Sequence, residues 1–228
     1  EVFEPKTDKE VPHGTVRNGR VICPVCNAVT SGDRLQAQLK EKNGGADNSV
    51  LLAVVISKNQ HATRGYRAGT DRDYQIVENA QKDLSKLIGS RGFPPDLIED
   101  LSPIRPSPNA RGVSAPTRYG ATKFKNLFLS RQRLSLMTLS KIICDSNVPQ
   151  GTRRLLAIAL DKVAMKCNAH CRWIPTGESL ADLFGRHAIA MVWDFAESNP
   201  IGGSGASWGN VIDQIKDVVV EISGATAL

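Results

Sequence analysis

Two apolar-periodic segments between Ser130 and Cys171 dominate the hydrophobic pattern of the chain. From Arg131 to Ile143 the apolar positions are Leu134, Leu136, Met137, Leu139, Ile142 and Ile143, a broad stripe at helical spacing. Leu156, Ala159, Leu160, Val163, Ala164 and Cys167 then recur at i, i+3, i+4, i+7, i+8 and i+11, with Arg153, Asp161, Lys162 and Lys166 on the other side. Asn147 to Gly151 separates the two, and so short a break predicts an antiparallel helical hairpin.

Upstream, Val16 and Val21-Ile22 flank Arg17-Asn18-Gly19-Arg20, a hairpin signal because both turn positions need φ > 0. Ser31 offers an N-cap to a short helix carrying Leu35 and Leu39, which stops at Asn43-Gly44-Gly45. Val50 to Ile56 reads as a buried strand, Asn59 to Gly65 as a turn and Tyr66-Arg67 as the partner strand. Thr70 with Asp73 resembles a capping box for a helix with Ile76, Ala80, Leu84, Leu87 and Ile88 on one face, ended by Gly89 and Gly92. Phe93 to Thr117 holds six of the twelve prolines and reads as an extended linker. Beyond the helical pair, the pattern suggests a short helical piece at Leu180 to Phe184 and an apolar stretch with few helix breakers from His187 to Phe195. A last helix, capped by Ser207 or Asn210, is expected to bury Val211, Ile215, Val218 and Ile222.

The expected fold is therefore α+β. A partial zinc-ribbon-like segment (1–30) and a small α/β unit (31–92) precede the Pro-rich linker (93–117) and a mainly helical domain (118–228) built on the antiparallel hairpin.

At 228 residues and 41% apolar content the chain can bury a core, mostly an aliphatic one because aromatics are 5%. It lacks the run of about 18 apolar residues that a membrane span needs. A charged start at Glu1 and the ending Ala225-Thr226-Ala227-Leu228 suggest a segment of something longer. Five cysteines with one Cys-x-x-Cys pair suit a reducing compartment, so a cytoplasmic location is expected. Charge changes the picture further. Leu101 to Cys144 contains no Asp or Glu, yet it carries Arg105, Arg111, Arg118, Lys123, Lys125, Arg131, Arg133 and Lys141. Such a block points to a polyanion, most plausibly nucleic acid, with a plain solvated face as the competing reading.

Candidate chemistry starts with Cys23-Pro24-Val25-Cys26 directly after the second strand, the order in which a zinc ribbon presents two thiolates. Tetrahedral zinc needs four ligands. The missing pair would lie before Glu1 or come from Cys144, Cys167, His170 and Cys171, although Cys167 sits on a core stripe; His13 and His61 read as surface residues. Arg118, Lys123 and Lys125, interleaved with Tyr119 and Phe124, suit phosphates and bases, while Phe124, Leu127 and Phe128 equally suit packing against the hairpin. Arg131 and Arg133 stand at a helix start, where backbone N–H groups also attract an anion. Asp194 and Glu197 form an i, i+3 acid pair, and Gly202-Gly203-Ser204-Gly205 is a weak phosphate-cradle signal without strand or lysine.

Several phrases carry a family resemblance: Pro12-His13-Gly14-Thr15-Val16 before the cysteine pair, Arg118-Tyr119-Gly120, Leu127-Phe128, Arg131-Gln132, Cys171-Arg172-Trp173, and Trp193-Asp194-Phe195-Ala196-Glu197-Ser198-Asn199-Pro200. In patches over most of the chain, most strongly from Arg118 to Trp208 and most thinly between Gln60 and Ala115, the chain resembles the central region of the zinc-ribbon-containing adenine-specific DNA methylases of bacteria and archaea. The resemblance implies a parent enzyme that uses S-adenosylmethionine and DNA, with its glycine-rich cofactor loop upstream, its Asp-Pro-Pro-Tyr motif downstream and an earlier cysteine pair completing a zinc site. Asn199-Pro200-Ile201-Gly202 is the nearest match to the catalytic motif, and it lacks the second proline and the aromatic. The expectation is a segment that binds DNA through Arg118, Lys123, Lys125, Arg131 and Arg133 and is inactive alone, with zinc at Cys23 and Cys26 in the full-length protein. The alternative is a structural module docking on the rest of the methylase chain or on a subunit of a restriction or phage-defence system.

Overall fold

In the N-terminal part of the chain, strand β1 (Val16–Arg17) turns through Asn18 and Gly19, at φ of 49° and 71°, into β2 (Arg20–Ile22), with Val16 opposite Val21. The Asn-Gly pair supplies two left-handed residues at little steric cost, which fixes this register. β3 (Val29–Thr30) adds antiparallel to β2. These elements come from a computed structural model that describes residues 3, 5–56, 64–101, 115–185 and 188–225; His61, Arg105, Arg111, His187 and most of the 59–65 turn lie outside the described residues.

Helix α1 (Gly32–Glu41) starts where the Ser31 hydroxyl accepts the Arg34 N–H at 3.4 Å. It ends in three consecutive positive-φ residues, Asn43, Gly44 and Gly45, which reverse the chain into a 3-10 turn at Ala46–Asn48. Gly120 must be glycine for the same packing: at φ 99°, a Cβ there would lie 2.6 Å from Lys40 Cα.

The expected buried strand at 50–56 is shorter and more open than its apolar run suggests. Only β4 (Val54–Ile56) is extended and paired, against β5 (Gly65–Arg67), while Val50 and Leu52 are 71% and 76% exposed. Among the described residues no second layer covers this two-stranded ribbon, so apolarity alone did not bury the run. Arg67 holds the Asp73 carboxylate at 2.6 and 2.9 Å at the start of α2 (Asp71–Leu87), where the Thr70 N–H and hydroxyl also donate to it. These bonds, Arg67's first, keep the Asp73 carboxyl well below the usual carboxylate range.

The core is helical. α3 (Ser130–Asp145) and α4 (Gln150–Ala164) pack on one another, α2 packs on α3, and α5 (Trp208–Ala225) packs on α4. Leu127, Phe128, Leu136, Ala159, Val163, Cys167, Ile189 and Val211 form the buried cluster. The chain is thus mixed α+β, with five helices and small antiparallel sheets among the described residues. No helix among those residues is long and apolar enough to cross a membrane.

Three local expectations in this half are corrected. Leu180 belongs to a hairpin, β6 (Trp173–Ile174) with β7 (Ser179–Leu180), because the Pro175–Gly177 turn and Glu178 at φ 42° fold the chain back before a helix can start. Residues 188–200 are irregular, held by single backbone bonds such as Ala196 N–H to Cys171 O (2.8 Å), so Asp194 and Glu197 share no helical turn. Along α5, Val211 is buried and Ile215 half-buried, but Val218 and Ile222 are 53% and 62% exposed.

Candidate functional site

The first turn of α3 brings together more of the singled-out residues than any other place. Gln132 accepts the Leu129 N–H at 2.9 Å, closing one free donor of the helix start. The anion expected at this terminus is supplied by the protein itself: Asp47, from the turn after α1, accepts the Ser130 N–H at 2.7 Å and its hydroxyl at 3.0 Å. Arg131 forks onto Glu197, Nε to Oε2 at 2.6 Å and Nη2 to Oε1 at 2.5 Å, with the two side chains 27% and 18% exposed. Arg133 donates to Asp96, which Lys125 also approaches at 3.4 Å. Burial pushes the Asp96 carboxyl up, but the Arg133 bond and the charges of Arg133 and Lys125 outweigh it and leave it lowered.

Lys123 meets Asp100 at 2.7 Å. Residues 97–101 run alongside 122–125, with Leu101 N–H on Thr122 O, Phe124 N–H on Glu99 O and Lys125 N–H on Leu97 O, which sets the acids beside the cations. Four of the five expected phosphate-binding cations are therefore held by carboxylates. The fifth, Arg118, is exposed on a 3-10 turn at Pro116–Tyr119. Tyr119 lies edge-on to Trp193 at 5.1 Å, Leu127 and Phe128 are buried, and Phe124 stays 41% exposed. A polar cleft of about 370 Å³ opens beside Asp47, Lys125 and Arg133. The buried Gln132 Nε2 and Arg133 Nε have no acceptor.

The cysteine pair stands on a separate, exposed tip. Asn27 N–H bonds Cys23 O at 2.9 Å and Cys23 N–H bonds Ala28 O at 2.9 Å, tying the knuckle into the sheet. The N–H groups of Cys26 and Val25 point at the Cys23 sulfur, the Cys26 thiol also bonds it, and together they lower the Cys23 thiol's pKa. The other candidate ligands do not reach it. Cys167 and Cys171 are fully buried, with thiols pushed up by burial to about 12 and about 11, and His170, pushed down to about 4 by burial, bonds the Ala190 carbonyl. Among the described residues no group of three or more His, Cys, Asp or Glu could hold a metal. The two thiols fit zinc as half of a tetrahedral set.

The acid pair and the glycine cluster are accounted for by structure. Glu197 is occupied by Arg131. Asn199 accepts its own Ile201 N–H at 3.0 Å, Pro200 O takes the Trp208 N–H at 2.7 Å, and Ser204 O takes Ser207 N–H and Asn210 Nδ2, so residues 199–207 form the lead into α5. Sequence reasoning missed Asp47, Asp96 and Asp100. The one available signal was position: Asp96, Glu99 and Asp100 stand immediately before the acid-free block. No protein-family model, curated protein or solved structure matches the chain.

Proposed function

We propose that this chain is a non-catalytic interior region of a zinc-ribbon adenine-specific DNA methyltransferase, and that it acts there as a structural module registering other parts of the enzyme. The observation that carries this reading is the forked Arg131–Glu197 pair, which joins two of the phrases on which the resemblance rests. Two further phrases touch the Trp193–Pro200 phrase as well: Tyr119 against Trp193, and the Cys171 carbonyl against the Ala196 N–H. Shared phrases that hold one another in place are what a common scaffold requires.

In this reading α3 and α4 form the antiparallel hairpin, and β1–β3 with Cys23 and Cys26 form half of the ribbon. Zinc supplies a rigid cross-link there, with no part in chemistry. S-adenosylmethionine supplies the methyl group in the parent enzyme. The residues present do not fit it: Asn199 Oδ1 accepts the Ile201 N–H and the Ser204 backbone carbonyl accepts from Asn210 within the turn leading to α5, and no step is assigned to this chain. Ile142, Ile158, Val218 and Ile222, exposed on three helices, are the surface offered to the rest of the methylase chain.

Direct DNA contact is the second reading, and the Lys123–Asp100 pair favours it. With side chains 41% and 73% exposed it is worth at most about 1 kcal/mol, so Lys123 is the cation most easily surrendered to phosphate. The two readings separate in a salt titration of duplex binding. The structural module predicts a log–log slope no steeper than about one phosphate, near 0.9. A slope of four or five phosphates that falls in Lys123→Glu would overturn it in favour of DNA binding, and methyl transfer to DNA by the chain alone would overturn the non-catalytic reading.

A further inference from the structure

The ribbon carries two cations that the fold leaves unmatched. Arg17 ends β1 and Arg20 begins β2, and the register sets them directly opposite one another across the Asn18-Gly19 turn. Residues so opposed share one face of a ribbon, with Cβ atoms about 4.5–5.5 Å apart, and like charges in that position repel. Both are exposed, and neither makes an ion pair with any described residue. From Val11 to Gly32 the sequence holds no Asp or Glu to offset them. We propose that Arg17 and Arg20 form a clamp for one phosphate group, an anion site on the hairpin tip in which two guanidinium forks close on the same set of oxygens. The inference rests on the hairpin alone, and its failure would leave the methyltransferase reading standing.

An anion between the two side chains turns their repulsion into a shared attraction. A phosphate has oxygens enough for both forks, and a guanidinium meets them bidentately where an ammonium acts as a point charge. The tip is also held in place before any ligand arrives. Ile22 N–H bonds Thr15 O at 2.8 Å, Val21 pairs with Thr30 on β3, and the turn rests on the start of α1, where a Cβ on Gly32 would lie 2.7 Å from Gly19 O. The forks therefore leave the backbone at a fixed spacing, and side-chain rotamers are all that binding has to order. An arriving phosphate breaks no ion pair here, whereas at Lys123, Lys125, Arg131 and Arg133 it must displace a carboxylate. The exposed tip has no walls to enclose a free ion, so a phosphodiester within a nucleic-acid strand, whose neutralisation also releases a condensed counterion, is the tighter of the two sources.

The arginine Nε–H signals of the isotope-labelled chain are followed by NMR as inorganic phosphate or a short DNA duplex is added, with chloride at equal ionic strength as the reference. The Arg17 and Arg20 signals are expected to shift together and saturate with phosphate and with duplex, and not with chloride. The duplex saturates them at the lower concentration, with a log–log salt slope near 0.9, about one phosphate. Saturation by inorganic phosphate alone supports the clamp and assigns it to a free ion; saturation by the duplex alone supports it and assigns it to a strand. Arg17→Gln and Arg20→Gln each weaken binding about tenfold, whereas Arg72→Gln, which removes the same charge from the exposed first turn of α2, leaves it unchanged. Without added anion, Arg20→Gln should unfold at no lower urea concentration than the parent chain, because it relieves a like-charge contact. Signals that ignore both ligands, that move equally with chloride, or that still saturate at Arg17 unweakened in Arg20→Gln overturn the inference, and so does a loss of stability in Arg20→Gln, which would make the pair structural.

Discussion

Replacing Glu197 with Gln removes the charge of a forked pair whose members are largely withdrawn from solvent, and leaves Arg131 facing a neutral amide beside the core. An exposed pair would be worth at most about 1 kcal/mol, and breaking a fully buried one costs about 3–5 kcal/mol. With side chains 27% and 18% exposed, the pair lies between these limits, and each single substitution, Glu197→Gln or Arg131→Gln, is expected to cost about 2 kcal/mol. The double variant leaves no unpaired charge, so it should cost less than the sum of the two, giving a coupling of about 1–2 kcal/mol. Urea unfolding followed by tryptophan fluorescence suits the measurement because Trp193 and Trp208 flank the Glu197 segment. Singles within about 0.5 kcal/mol of the parent chain, or strictly additive effects, would refute a structural role for the pair. Arginine kept only for phosphate would show that pattern, with the loss appearing in DNA affinity.

Asp47→Ala removes the carboxylate capping α3 and should cost about 1–2 kcal/mol in the same urea assay, with Asp47→Asn recovering part of it; no loss in either would mean the cap is incidental. His170, held neutral by burial with a pKa near 4, binds fewer protons folded than unfolded between about pH 6.5 and that value, so acidification through this window should lower stability. From pH 7 to 5 the loss is on the order of 2 kcal/mol, and His170→Gln should flatten it; an equal slope in the variant would refute the assignment. Asp96 acts lower on the scale: its lowered folded pKa stabilises the chain above the unfolded carboxylate value and is lost as pH falls through the folded one.

What could be read from the sequence is what short-range backbone chemistry decides. Asn18-Gly19, the Ser31 cap, the reversal at Asn43 to Gly45 and the Thr70–Asp73 box each stand where expected because the responsible atoms lie within a few residues of one another. Ala159, Val163 and Cys167 are fully buried, as the cleanest helical stripe predicts. Burial elsewhere depended on what stands opposite. Val50, Leu52 and Val218 have the right side chains but, among the described residues, no layer that covers them. The same limit applied to charge. The acid-free block looked like an open cationic field because its counter-charges, Asp96, Asp100 and Glu197, lie outside it in sequence and beside it in space.

That arrangement bears directly on how far the block can serve a polyanion. A carboxylate fixed in place by the fold competes with phosphate at the effective concentration of an intramolecular partner, whereas DNA arrives as a bimolecular one. For Arg131 the competitor must first open a pair worth about 2 kcal/mol, a penalty of roughly 30-fold for that contact alone. Arg133 and Lys125 share one carboxylate, so withdrawing either from Asp96 also disturbs the other. Counterion release rewards each phosphate neutralised, but only for a cation whose charge is not already matched. The start of α3 is therefore better suited to locking the turn after α1, the 96–101 segment and the Glu197 strip into one register than to following a nucleic-acid backbone. A charge reversal at Arg131 should accordingly be felt first as loss of fold, before any loss of affinity.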